Sequence, residues 1–220
     1  MYTHLLTTLL SLLAVAVSPA YTQNPSESRE GIAPVTISYT IKVTSGKKNV
    51  AAADAYDGGS KTIFLQNGKA RIRMVSLMRM ESIFFSGTKE GDRFATLVKE
   101  SGKDTYKRNF SKTGWTKFND KYADAACTFS NDSLEVLGFN CKKATIICKD
   151  GSEITLYYTS DLPRLPEDYE PVFACIPGMV MQYEYTYKSS GILYQATSVS
   201  RDKISPNIFK IPARITRKFQ

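Results

Sequence analysis

The 220-residue chain carries 29 Lys and Arg against 21 Asp and Glu, a formal charge of +8, with 42% hydrophobic and 23% charged residues. That composition is globular and excludes a disordered tail, and the length suits one domain with a sizeable core. The single histidine is His4; once the leader described next is removed, no imidazole remains for a Ser-His-Asp or Cys-His nucleophile, a zinc site or a general base.

Leu5 to Val17 is an uncharged run of Leu, Ala, Val, Thr and Ser, and Ser18-Pro19-Ala20 puts small residues where a signal peptidase reads. The run falls short of the roughly 20 residues of a spanning helix. Residues 1–20 therefore read as a signal peptide cut after Ala20, although Met1-Tyr2-Thr3-His4 lacks the usual Lys or Arg. The first cysteine is Cys127, which argues against a lipid-modified mature N-terminus. No later run is long enough for a transmembrane segment. The expected product is exported, periplasmic or secreted. The leader holds no charged side chain, so the +8 stays with the mature chain. That charge favours an anionic envelope surface, and export argues against nucleic acid.

Residues 21–34 are polar, with Pro25, Ser26, Ser28 and Gly31, and read as a flexible mature N-terminus. A single β-rich domain is expected over 35–220. Val35, Ile37, Tyr39, Ile41 and Val43 alternate with polar residues, a strand with one buried face. Gly46 to Ser60 reads as a loop with a helical turn at Ala51–Ala53. Asn67-Gly68 joins two strands in a tight hairpin, because it supplies the positive φ of a type I′ turn. Ser82 to Ser86 and Phe94 to Glu100 are further strands. Asp104 to Phe118 is expected to hold one more hairpin around Lys112-Thr113-Gly114. Cys141 to Cys148 and Glu153 to Thr159 flank a turn at Lys149-Asp150-Gly151-Ser152. Ser160 to Pro171 is a proline-bearing loop. Met179 to Tyr187 and Ile192 to Ser200 flank the last turn. Hairpins without crossover helices predict a mainly β fold, a single antiparallel sheet with few short helices.

The four cysteines, Cys127, Cys141, Cys148 and Cys175, lack the two-to-four-residue spacing of a zinc knuckle. In an oxidising compartment they read as disulfide candidates. Cys141 and Cys148 on one regular strand stand ~23 Å apart, against the ~7 Å a disulfide spans. That leaves Cys127–Cys148 with Cys141–Cys175, the preferred scheme, or Cys127–Cys141 with Cys148–Cys175. Glu90/Asp92 and Glu167/Asp168 lie in polar turns and read as surface residues rather than a glycosidase pair. Gly58-Gly59 lacks the pattern of a phosphate loop. Asn109-Phe110-Ser111 and Asn131-Asp132-Ser133 match the glycosylation sequon and read as chance. Neither metal nor cofactor is expected, and no enzyme.

The unusual inventory is 13 Tyr, 11 Phe and 6 Met. At period two, Met179, Met181, Tyr183, Tyr185 and Tyr187 share one face of a strand, with Val180, Gln182, Glu184 and Thr186 toward solvent. Met74, Met78 and Met80 add soft side chains. Thioethers and phenols suit a cleft for a flexible apolar or amphiphilic ligand such as lipid.

Leu137-Gly138-Phe139-Asn140-Cys141-Lys142-Lys143-Ala144 resembles the LGYxCKKA strand of the GLPGLI family and related exported families of Gram-negative bacteria. Tyr157-Tyr158-Thr159-Ser160-Asp161-Leu162-Pro163 is similar to their WYTxxIP segment. Cys175-Ile176-Pro177-Gly178-Met179-Val180 sits where the naming hexapeptide falls and keeps its Pro and Gly. Asn67-Gly68-Lys69-Ala70-Arg71 and Phe209-Lys210-Ile211-Pro212 resemble the family's GKxR hairpin and closing FxIP. The resemblance implies a curved, open half-barrel of the lipoprotein-carrier (LolA-like) kind, whose concave face holds an apolar ligand. The alternative is a structural or protein-interaction module of the envelope whose concave face is filled by its own side chains.

Overall fold

The computed structural model describes residues 33–45, 57–77, 79–86, 93–187, 190–213 and 217–218. The expected leader, the helical turn at Ala51–Ala53 and Met78 lie outside the described residues.

Strands β1 (Val35–Ser45), β2 (Ser60–Gln66), β3 (Lys69–Val75), β4 (Met80–Phe85), β5 (Ala95–Ser101) and β6 (Asp104–Phe110) form the first half. A short helix α1 (Lys112–Phe118) follows. Then come β7 (Ala126–Val136), β8 (Phe139–Ile147), β9 (Glu153–Thr159), β10 (Met179–Tyr187), β11 (Ser190–Ser200) and the two-residue β12 (Arg217–Lys218). They make one curved sheet that does not close, ordered β12-β6-β5-β4-β3-β2-β1-β11-β10-β9-β8-β7. All neighbours are antiparallel except β12 with β6. The chain thus builds two hairpin meanders and joins them where β11 returns beside β1.

Local chemistry explains most of this. Val35, Ile37, Tyr39 and Ile41 are all at most 2% exposed, the apolar phase of β1. Asn67 and Gly68 have φ of 51° and 71°, the left-handed pair that the β2–β3 turn needs. Leu137 and Gly138 repeat that geometry at 54° and 80° between β7 and β8.

The expected hairpin at Lys112-Thr113-Gly114 is instead the first turn of α1. The Gly114 N–H donates to the Ser111 side chain at 3.1 Å, an N-cap. Trp115 is 4% exposed and packs edge-on against Phe85 and Phe110. Burying that indole gives the helix its tertiary reason, which local turn chemistry does not reveal.

Buried residues fall into two clusters. One joins β1 to β6 with Trp115, Leu162 and Tyr169; the other joins β8 to β10 through Ile146, Ile154, Leu156 and Tyr183. The face they occupy is the core face. On the opposite face the chain after β11 crosses back over β3. There Arg71 donates to the Ile208 carbonyl at 3.2 Å and lies over the Phe84 ring at 4.8 Å. The Ile204 N–H donates to Gln66 at 2.7 Å. The Phe209 segment thereby ties the second meander to the first.

Segment 160–178 lies over the core face and re-enters the sheet at Gly178. A Cβ placed there would meet the Thr159 carbonyl oxygen at 2.3 Å and its carbon at 2.8 Å. Gly178→Ala should therefore lower the melting temperature by about 3–10 °C, the range for overpacking in a chain this size; calorimetry of the variant checks it.

Candidate functional site

The site is built where β10, β1 and β2 meet segment 160–178. That segment is pinned to the sheet at many points. Tyr169 stacks on Phe85 at 4.2 Å and donates its hydroxyl to the Gly68 carbonyl. The Trp115 indole donates to the Asp168 carbonyl at 2.8 Å, while Lys112 pairs with the Asp168 carboxylate at 3.1 Å. Leu162 and Ile176 are 3% and 1% exposed. Phe173 meets the Tyr183 ring edge-on at 5.1 Å.

One pin is covalent. Cys175 forms a disulfide with Cys127 at the start of β7, while Cys141 and Cys148 are free and buried. A disulfide is present, but both expected pairing schemes are wrong. They assumed that all four cysteines pair, and the cover brings Cys175 to Cys127 across the second cluster. Cys141 belongs to the other cluster, and burial pushes its thiol pKa up.

The Met and Tyr strand is also corrected. Pairing of β10 with β9 runs Met179–Thr159, Val180–Tyr158, then Gln182–Tyr157 and Tyr183–Leu156. Four steps along β10 thus match three along β9, a bulge at Met181. The bulge puts Met179 out of phase with Tyr183 and Tyr185, so the five residues do not form one regular face. Met179, Val180 and Met181 are consecutively buried at 2%, 6% and 0%. Val180 is therefore not among the solvent-facing set. Met179 and Met181 join the cluster of Ile37 and Leu65, whereas Val180 and Tyr183 join that of Ile146 and Leu156. Tyr185 is half-buried, and the side chain of Tyr187 lies outside the described residues.

At the centre is a residue that no sequence motif marks. Lys61 shares the phase of Ile63 and Leu65 on β2, so its side chain enters the core face and is 4% exposed. Its ammonium donates to Glu170 at 2.5 Å and to the Tyr183 hydroxyl at 3.1 Å. It lies over the Tyr183, Tyr39 and Phe173 rings at 5.1, 5.6 and 5.9 Å. Burial alone would lower its pKa, but Glu170, by charge and hydrogen bond, together with Tyr39 and Tyr194 outweighs it, and the net shift is upward. Burial likewise pushes the Tyr39 and Tyr183 phenols up. Tyr39 donates its proton to the Val180 carbonyl at 2.7 Å. Lys61 was legible as a charge in apolar phase; Glu170, in an irregular segment, carries no local signal.

The space remaining among Tyr39, Lys61, Glu170, Phe173, Met179 and Tyr183 is ≈ 20 Å³, room for about one water. A wider, open cleft of ≈ 280 Å³ lies between α1 and segment 160–178, bordered by Trp115, Asn119, Tyr122, Asp124 and Asp168. Among the described residues, no group of three or more Cys, Asp or Glu is placed to hold a metal ion. No helix among them is long and apolar enough to cross a membrane.

No protein-family model matches the chain, and no curated protein does. Among solved structures it is similar to PNGF-II in a P21 crystal form, with TM-score 0.46 and 17% identity over 85% of this chain and 32% of that one. The C2 form of PNGF-II gives 0.35 and 15%, over 80% and 29%. MucB gives 0.40 and 10%, over 85% and 60%. The chain spans less than two thirds of the length of each. The motif likeness to the GLPGLI family stays a resemblance.

Removing Glu170 leaves a buried ammonium without its carboxylate. Glu170→Gln should cost about 3 kcal/mol, the low end for a broken buried pair because Glu170 is 17% exposed. Replacing both partners, Lys61→Met with Glu170→Leu, should return stability to within about 1 kcal/mol of the wild type. A pKa raised on folding stabilises fully below the unfolded value and is lost as pH rises through the folded one. The wild-type advantage over Glu170→Gln should thus hold from neutral pH to 10.5, the ordinary lysine value. Urea unfolding across that range checks it.

Proposed function

We propose that the chain is an exported, non-enzymatic protein of the cell envelope. It works as a structural or interaction module whose core face is filled by its own segment 160–178. The carrying observation is the ≈ 20 Å³ left beside Met179 and Tyr183, against the ~300 Å³ or more of an ordinary ligand pocket. Export is supported by the leader-like residues 1–20 and the Cys127–Cys175 disulfide. The +8 charge fits an anionic envelope surface as partner. A histidine-free mature chain lacks imidazole acid-base chemistry, which supports the non-enzymatic reading.

One observation favours a second reading, a carrier of an apolar or amphiphilic ligand. Lys61 offers a cationic contact inside an otherwise apolar face, and Met179, which lines the same space, is adaptable. Magnitudes decide against it as the resting state. Displacing Leu162, Tyr169, Phe173 and Ile176 gives up roughly 1.5–3 kcal/mol each, and an acyl chain returns only ~0.8 kcal/mol per methylene. About eight to fifteen methylenes are needed to break even, with nothing left for affinity.

Titration with a fluorescent fatty-acid probe separates the two. The module reading expects no saturable uptake by the wild type, and a melting temperature lowered by about 10 °C in Met181→Asp, which buries a carboxylate. Saturable uptake that Met181→Asp abolishes would establish the carrier instead.

A further inference from the structure

We propose that Cys148 is a resident exchange partner for the Cys127–Cys175 disulfide, so that the covalent tether of segment 160–178 can be released without any outside oxidant or reductant. Cys127 stands directly opposite Ile146 in the β7–β8 ladder. Cys148 lies two residues beyond Ile146 and so points to the same side. Its N–H donates to the Ser152 carbonyl at 2.8 Å, which continues the extended hairpin past the end of β8. Both cysteines belong to the cluster of Ile146 and Ile154. Diagonal neighbours of this kind have Cα atoms ~7–8 Å apart and Cβ atoms closer, so a small shift at two strand ends brings them within the ~7 Å that a disulfide spans. Cys141 lies five residues along β8 from Ile146, the position opposite Cys127, so it is roughly 17 Å away and cannot reach.

In the step, the Cys148 thiolate sulfur attacks Sγ of Cys127. The Cys127–Cys148 bond forms as the Cys127–Cys175 bond breaks. Cys175 leaves as a thiolate and takes up the proton that Cys148 gave up. One disulfide is present before and after, and no electron enters or leaves the chain. Cys175 is exposed, so the departing thiol reaches solvent. Segment 160–178 then keeps only non-covalent pins, among them Lys61–Glu170, Lys112–Asp168 and the Trp115 and Tyr169 hydrogen bonds. The exchange itself is independent of the reading of the filled face; only the loosening of the cover rests on it.

Two measurements on the full mature chain test this. Wild-type protein held at pH 8.5, acid-quenched and mapped without reduction should yield both Cys127–Cys175 and Cys127–Cys148 peptides, with Cys175 alkylated in the second population. Cys148→Ser should abolish the second species. Cys175→Ser in oxidised glutathione should close Cys127–Cys148, and amide exchange over 160–178 should quicken about tenfold or more as the tether is lost. A wild-type map containing Cys127–Cys175 alone at every time would overturn the proposal. So would a folded Cys175→Ser chain in which Cys127 and Cys148 remain unlinked. A closed Cys127–Cys148 bond with unchanged exchange over 160–178 would overturn the loosening and leave the exchange standing.

Discussion

A sheet of one layer presents an apolar face that must be buried, and among the described residues no second sheet buries it. The chain answers with segment 160–178 and α1, laid against the side chains of both meanders. Segment 160–178 makes no regular structure beyond the short Pro171–Phe173 turn, so its position depends on individual anchors. Tyr169 sits in the first cluster, Ile176 in the second, and the disulfide holds its far end to β7. The anchors span both halves of the sheet, so the cover adds to the β1–β11 pairing in joining the two meanders.

Lys61 and Glu170 form the polar anchor of that cover, and their energetics differ from those of the rings around them. A buried pair seldom adds stability over apolar residues of the same shape, since desolvation offsets the attraction. Its effect is directional. The observed placement of segment 160–178 brings Glu170 to the ammonium, and a placement that brought no carboxylate there would leave a buried charge unmatched. The aromatic contacts of Tyr169 and Phe173 supply the burial, and the ion pair is made in the same register.

Strand β1 and the hairpins at Asn67-Gly68 and around Gly151 were legible because each is decided within a few residues, by alternation or by a positive φ. Strand β7 was not, since at the sheet edge nearly every residue from Ala126 to Glu135 is exposed and no alternation marks it. Helix α1 was hidden because its reason is Trp115 packing on Phe85, far away in sequence. The bulge at Met181 defeated a strict period of two; a single extra residue inverts everything upstream of it. Half of the central pair was readable as Lys61 in the apolar phase of β2, while Glu170 reaches it across 109 positions. The cysteine pairing failed for the same kind of reason, as it depends on where an irregular segment lands.

Segment 160–178 is the resident occupant of the core face. Native mass spectrometry of the protein purified from its own cells tests it most directly. The expected mass equals that of the mature polypeptide with one disulfide and nothing bound. A stoichiometric copurified lipid, lost on gentle activation, would contradict it.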